Sequence, residues 1–270
     1  MSVANRWMPN LIGWTAVFGL LVPVAQTFWV SFSPDSLMTV PTDHWSLIWY
    51  QAFVADRRWT AATVRSLAIA GCASAGCVIM IAPALVAIHR AFPRKHHILI
   101  QLLMLPAVLP SAALGTGLLP MMHVTHLWGT NVGMVLVHLT LGLPIAYLVI
   151  SSSLTSELRD LEFAASGLGA SPWQVIWRVT RPQLSPGIFA GAIAVFVISL
   201  NESLISLFLA TPHNETLPAV VWPQLRYSAN PLVAVASCVT SAIGILAAFF
   251  ISRLLNSRWL KSFSSSAQRR

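Results

Sequence analysis

An all-α membrane protein with six transmembrane helices is the fold class this sequence predicts, and three observations carry the prediction. Of its 270 residues, 56% are hydrophobic and 9% charged, whereas an ordinary soluble domain is roughly 45–50% apolar and about 25% charged. Stretches 11–32, 66–88, 98–123, 132–153 and 231–252 hold no Asp, Glu, Lys or Arg, and 187–210 holds a single acid, Glu202. Each reaches the about 20 residues that a crossing requires. The spans therefore fall at about 11–32, 66–88, 98–122, 132–153, 187–210 and 231–252. They form a single membrane domain over 11–255, with a short segment 1–10 before it and a basic tail 256–270 after it.

The third observation is where the basic residues lie. With six crossings, the segments on the side of both termini hold Arg6, Arg90, Arg94, Lys95, Arg159, Arg178, Arg181, Arg253, Arg258, Lys261, Arg269 and Arg270; the other side holds only Arg57, Arg58, Arg65 and Arg226. Such an excess marks the cytoplasmic face and puts both termini there. The surplus of 16 basic over 8 acidic residues thus follows the membrane and excludes a nucleic-acid reading. Cys72, Cys77 and Cys238 fall inside spans, without metal-ligand spacing, and read as small packing residues. The first apolar run is longer than a signal-peptide core and lacks a small-x-small site after it, so it reads as a retained helix.

Between the first two spans, the outside loop 33–63 mixes Pro34, Asp35, Pro41, Asp43 and Asp56 with Trp45, Trp49 and Tyr50. That composition suits a short interfacial cap with aromatic belt anchors. Pro106 and Pro110 predict a kinked or broken third span, with Gly115, Gly117 and Pro120 close behind. Gly129 with Gly133, and Gly187 with Gly191, are small-xxx-small pairs that permit close helix approach. Asn214-Glu215-Thr216 matches the short glycosylation sequon.

The cytoplasmic connection 154–186 reads as two short helices about a glycine turn. Ser156 is placed to cap the first, with Glu157, Asp160 and Glu162 near its positive end, and Gly167 or Gly169 ends it. Ser171 caps the second, Pro172 takes its first position and Gln174 completes a capping box; Pro182 and Pro186 are expected to stop it before the fifth span. Two readings of this hairpin stay open on physical grounds alone: a docking surface for another protein, presenting small residues flanked by Trp173, Trp177 and Arg178, or an element lying on lipid headgroups.

The run Phe163-Ala164-Ala165, then Gly169, then Val179-Thr180-Arg181-Pro182 resembles, without a gap, the EAA loop of bacterial ABC-importer permeases. Its pattern is Glu-Ala-Ala, three residues, Gly, nine residues, Ile-x-Leu-Pro. Phe163 stands where the motif has glutamate, Glu162 comes one place earlier, and Arg181 replaces the leucine before Pro182. The resemblance implies that Glu162, Phe163, Ala164, Ala165, Gly169, Ala170, Ser171, Val179 and Pro182 form a loop that inserts into an ATPase subunit and passes its motion to the membrane helices. Ser199-Leu200-Asn201-Glu202 followed by Thr216-Leu217-Pro218 is similar to the fifth helix and following loop of the spermidine/putrescine-type branch, with Asn201 in place of an acid.

Inside the membrane, Glu202 is the one acid that the sequence places, and an intramembrane charge costs at least about 2.5 kcal/mol even on insertion scales. It should face the bundle interior. Two roles are open to it: contact with a cationic solute or the gate, together with Ser199 and Asn201, or a structural bond to Asn201, Ser199 or a histidine. His138 in the fourth span and His123 and His126 at the outer end of the third lack metal-ligand spacing and read as hydrogen-bonded packing groups; His96 and His97 read as part of a basic interfacial patch. No Gly-x-x-x-x-Gly-Lys-Ser/Thr, His-Glu-x-x-His or Gly-x-Ser-x-Gly run occurs, so no phosphate loop, zinc-hydrolase or serine-hydrolase signature is present.

Taken with the resemblance, these readings imply the permease subunit of an ATP-driven importer, itself not an enzyme and without a bound cofactor. ATP-Mg would be used by two partner ATPase subunits, and a second permease and an external substrate-binding protein would complete the assembly. Transport would run by alternating access. The branch points to a polyamine-like solute, with ferric iron or an aminophosphonate as alternatives. An ion-coupled secondary transporter is the rival class; such proteins usually pair broken helices in their two halves, and the sequence offers one Pro-rich span without a mate.

Overall fold

A computed structural model describes residues 4–35, 44–91, 96–227 and 231–267. The expectations attached to Pro41, Asp43, Arg94, Lys95, Arg269 and Arg270 lie outside the described residues, which form helices throughout. In chain order these are α1 (Ala4–Ser31), α2 (Ile48–Ala55), α3 (Arg57–Ala91), α4 (His96–Val108), α5 (Ser111–Val124), α6 (Asn131–Ser151), α7 (Ser156–Gly167), α8 (Pro172–Val175), a π-helical turn (Ile176–Thr180), α9 (Arg181–Asn201), α10 (Leu204–Leu209), α11 (Leu217–Tyr227) and α12 (Leu232–Ala267). Among the described residues, five helical runs are long and apolar enough to cross a membrane: Gly13–Ser31, Arg57–Ile88, Asn131–Ser151, Pro172–Asn201 and Leu232–Phe250. The pair Ile98–Val108 and Ser111–Val124, bent by 101°, makes a sixth where it is counted as one broken span. The break comes at Leu109–Pro110, one turn after Pro106 removes a backbone donor inside α4, as the sequence predicted.

The chain divides into two compact units, residues 1–61 with 220–242, and 62–219 with 243–270. In the first, the aromatics of the outside loop dock on the end of α1. Trp49 Nε1 donates to Ser33 O at 2.9 Å, Tyr50 Oη and Ser31 Oγ are 2.9 Å apart, and Trp45 packs on Trp29 and Phe32. These side chains, expected as belt anchors, thus close the first helix as well.

In the second unit, α3, α5, α6 and α10 bury Ile69, Leu114, Met134, Val137, Ile205 and Leu209. Nearer the other end, α3, α6 and α9 bury Cys77, Ile81, Leu85, Ala146, Ile150 and Val195. The α6–α9 seam is close because glycines leave room for it. A Cβ on Gly187 would strike Ser153 Oγ, one on Gly191 would lie 2.8 Å from Ile150 Cγ1, and one on Gly142 would lie 2.7 Å from both Cys77 Sγ and Val195 Cγ1. Gly187 and Gly191 therefore do what their spacing suggested. Gly129 and Gly133 do not: Gly129 has φ +73° in the turn before α6, and Gly133 packs on the Leu127 carbonyl of that same turn. Of the cysteines read as packing residues, Cys77 is buried and Cys72 is exposed.

The sequon is corrected in the same way. Asn214 is 2% exposed, and its Oδ1 accepts from Thr211 N and Thr211 Oγ1. Buried and engaged in shaping the loop before α11, it is no acceptor for a glycan.

Filling Gly142 should therefore cost more than filling a glycine with free space beside it, such as Gly71, which has nothing within 4 Å of an added Cβ. Gly142→Ala is expected to destabilise by about 1–3 kcal/mol, the usual range for overpacking, and Gly71→Ala to be neutral or slightly stabilising. Thermal unfolding of the two variants in detergent checks the contrast.

Candidate functional site

The hairpin 154–186 begins at Thr155, whose Oγ1 accepts from Leu158 N at 3.3 Å. The cap is thus Thr155 and not Ser156; two adjacent hydroxyls compete for the role, and the one with extended backbone takes it. Helix α7 closes on Gly169, which has φ +84°. Gly169 N donates to Ser166 O and Ala170 N to Ala165 O, the paired bonds of a Schellman closure that requires a left-handed residue at that position. The second half starts as the sequence predicted: Ser171 Oγ accepts from Gln174 N at 3.3 Å and Gln174 Oε1 from Ser171 N at 2.9 Å, with Pro172 at the first position.

Pro182 and Pro186 do not stop this helix, contrary to expectation. Helix α8 passes through the π turn directly into α9, so Pro172–Asn201 is one run of 30 residues. Arg181 N donates five residues back, to Ile176 O, and the very next residue is Pro182. The change of register falls beside the residue with no N–H to offer, which is how the helix absorbs it.

A three-way contact sits where the hairpin meets the membrane helices. Arg90 Nη2, near the end of α3, donates to Glu162 Oε1 of α7 at 2.7 Å and to Thr180 Oγ1 of the π turn at 3.0 Å. Thr180 Oγ1 in turn donates to Glu162 Oε1. Glu162 is thus turned inward, its side chain 20% exposed, and Thr180 is 2% exposed. These residues line a cleft of about 490 Å³ together with Val86, Leu158 and Val175. Neither Arg90 nor Thr180 was legible as a partner of Glu162 in the sequence, since 72 and 18 residues separate them.

The outward face of the hairpin is apolar. Phe163 is 83% exposed, Leu168 90% and Trp173 65%; Ala164 and Gly169 are exposed among them, and Ala165, Ala170 and Val179 are half-buried. Trp173 packs edge-on against Trp177, and the Arg181 guanidinium lies 4.5 Å over the Trp177 ring. Arg181 thus extends an aromatic surface at the place where the resemblance has leucine.

The other candidate cluster lies at the far end of the same helix. α9 ends at Asn201, Glu202 takes an extended backbone (ψ 111°) and α10 begins at Leu204, so the predicted span 187–210 is two helices with a break at its acid. Glu202 Oε1 accepts from Leu204 N at 3.0 Å and Ile205 N at 3.1 Å, which caps α10 and satisfies amides that the break frees. Its partners are therefore its own backbone and not Asn201, Ser199 or a histidine. Asn201, exposed, donates Nδ2 to Val197 O at 2.8 Å. Ser199, buried, bonds instead to His138, Oγ to Nδ1 at 2.6 Å. No group of three or more metal-ligating side chains occurs among the described residues.

A family model for binding-protein-dependent transport system inner membrane components matches residues 6–261. The chain belongs to that family. The putrescine transport system permease protein PotI of Escherichia coli K12 is 31% identical over 267 residues, covering 96% of this chain and 93% of that protein. The spermidine/putrescine transport system permease protein PotC of the same organism is 29% identical over 120 residues, 43% of this chain and 45% of that protein. The trehalose transport system permease protein SugB of Mycobacterium tuberculosis is 30% identical over 211 residues, 74% of this chain and 75% of that protein. The fold is similar to a chain in the crystal structure of a bacterial ABC transporter that imports the acidic polysaccharide alginate, with a TM-score of 0.65 and 13% identity over 95% of this chain and 98% of that one.

As a member of this family the chain is the multi-pass inner-membrane permease of an ATP-driven importer and not an enzyme. It binds no cofactor; a partner ATPase uses the ATP, and a binding protein delivers the solute.

The Arg90–Glu162–Thr180 contact joins α3, α7 and the π turn that leads into α9, and so ties the hairpin to two of the long helices. Arg90→Glu and Glu162→Arg are each expected to lower transport roughly tenfold, the scale of a broken charge-assisted contact, and the double exchange to recover much of it. Solute uptake at equal membrane abundance measures this.

Proposed function

We propose that this permease imports a small cationic solute of the polyamine class, spermidine- or putrescine-like, as one of two permease subunits above two ATPase subunits. The observation that carries the mechanism is the unbroken helix Pro172–Asn201, one end of which is the hairpin's second half and the other the Glu202 break. At 1.5 Å per residue it is about 45 Å long, against about 30 Å of hydrocarbon, so the hairpin end stands clear of the bilayer on the side that also bears most of the basic residues. On this reading both termini and residues 154–186 are cytoplasmic.

Phe163, Ala164, Ala165, Gly169, Ala170 and Ser171 then form the surface that enters the ATPase, with Val179 and Pro182 at its root. Contact is by shape and apolar area, since Glu162 is engaged inward with Arg90 and Thr180. Closure of the ATPases draws the hairpin inward, the lever turns α9, and the pathway opens outward to the binding protein; hydrolysis resets it.

The cationic reading is supported by PotI and PotC, whose names carry putrescine and spermidine, and by the acid Glu202 at the break of the fifth span. An ammonium group reaching that break meets a carboxylate whose Oε1 already accepts two amides, and the negative charge at the break draws it in. Glu202→Gln separates the two roles, because an amide oxygen still accepts from Leu204 N and Ile205 N while the charge is lost. Polyamine uptake is expected to fall roughly tenfold, as for loss of a charge-assisted contact, in a complex that assembles normally. Uptake at the unaltered rate, or an external binding protein that takes an anion and ignores putrescine and spermidine, would contradict the assignment.

A further inference from the structure

His138 is the buried titratable side chain whose role transport alone leaves unexplained. It is 2% exposed on α6, and it reaches both sides of the break in the fifth span. Nδ1 lies 2.6 Å from Ser199 Oγ, in the last turns of α9, and Nε2 lies 3.4 Å from Ser206 Oγ, in α10. Ser206 Oγ is also 2.9 Å from Glu202 O.

These distances assign the protons. A hydroxyl has one proton to give, and the Ser206 proton goes to the nearer acceptor, the Glu202 carbonyl; Ser206 Oγ is then an acceptor towards the ring, which requires Nε2 to carry the N–H. Nδ1 is left bare and takes the Ser199 O–H. The chain Ser199 to His138 to Ser206 to Glu202 carbonyl runs in one direction with each buried group engaged, as burial requires.

We infer that His138 is a positioning residue that pins the broken fifth span: from α6 it ties α9 to α10 across the break, and so holds the Glu202 carboxylate on the α10 N-terminus, beside a crevice too narrow for water that His138 and Glu202 line together with Leu141, Gly142 and Ile198. The pin sets how α9 hands its movement to α10. It rests on the transport reading for the use made of Glu202, but needs no particular solute.

The test uses the full complex in proteoliposomes with its ATPase and binding protein, and reads solute moved per ATP hydrolysed. His138→Leu keeps the volume and removes both bonds; solute per ATP is expected to fall roughly tenfold, the scale of buried hydrogen-bond loss. His138→Gln retains one acceptor and one donor at the end of its side chain, and is expected to stay within about threefold of the native value. A structural role served by bulk alone would spare the leucine variant. Leucine at the native ratio, or glutamine as impaired as leucine in an assembled complex, overturns the proposal. A second measurement stands independently of assembly of the variants: among the eight histidines, the imidazole ¹⁵N signals absent from the His138→Gln spectrum should report a protonated Nε2 and a bare Nδ1, and the reverse pattern overturns the pin. If Glu202→Gln transports normally while His138→Leu does not, the cationic-solute reading fails and the pin remains.

Discussion

The structure depends on one constraint, that the second half of the hairpin 154–186 and the fifth span as far as Asn201 are a single helix pressed against α6. Gly187 and Gly191 on α9, and Gly142 on α6, let that seam close to a distance at which side chains of Ser153, Ile150 and Val195 occupy the space a Cβ would need. A helix resists bending far more than a loop does. Displacing the hairpin therefore displaces the seam, and displacing the seam moves the Glu202 break at the far end. Were Pro182 and Pro186 to end the helix, the hairpin would hang on a flexible joint and its movement would dissipate there.

Two polar junctions flank this lever, and both join elements remote in sequence. At the hairpin end, Arg90, Glu162 and Thr180 connect the second span to both halves of the hairpin. Within the membrane, His138 connects α6 to both sides of the break. The His138 junction is buried, where hydrogen bonds are stronger than in water and costly to leave unmade, whereas the Arg90 junction stays partly exposed, with the Arg90 side chain 33% accessible. The apolar clusters between them supply the packing, and the junctions fix how the packed helices register against one another.

Local chemistry made much of this legible in the sequence. The Ser171-Pro172-Gln174 start and the Gly169 closure are read within a few residues, because capping boxes and left-handed glycines act over one turn. The helical class followed from the charge-free runs, and the broken third span from Pro106 and Pro110, but the helices extend well beyond the runs at Arg57–Ile88 and Pro172–Asn201. Thr155 was missed in favour of Ser156 because two neighbouring hydroxyls differ only in backbone conformation, which composition does not reveal. The passage of the helix through Pro182 was missed because a π turn leaves no compositional mark. Of the two roles open to Glu202, solute or gate contact and a structural bond, the structural partners differ from those expected: its carboxylate accepts from Leu204 N and Ile205 N, amides freed by a break that composition does not reveal. Ser199 and His138, 61 residues apart, could be paired only by the fold.

The account stands most directly on the hairpin's outward face meeting a motor subunit in the cytoplasm. Leu168, 90% exposed at the tip of the hairpin, is the position to probe: in the intact complex, with a cysteine placed at 168, a short thiol-to-amine crosslinker should join this chain to the ATPase subunit, and the crosslink should change in yield when ATP is bound. Labelling of that cysteine from outside by a membrane-impermeant maleimide, with no crosslink to the ATPase in either nucleotide state, would contradict it.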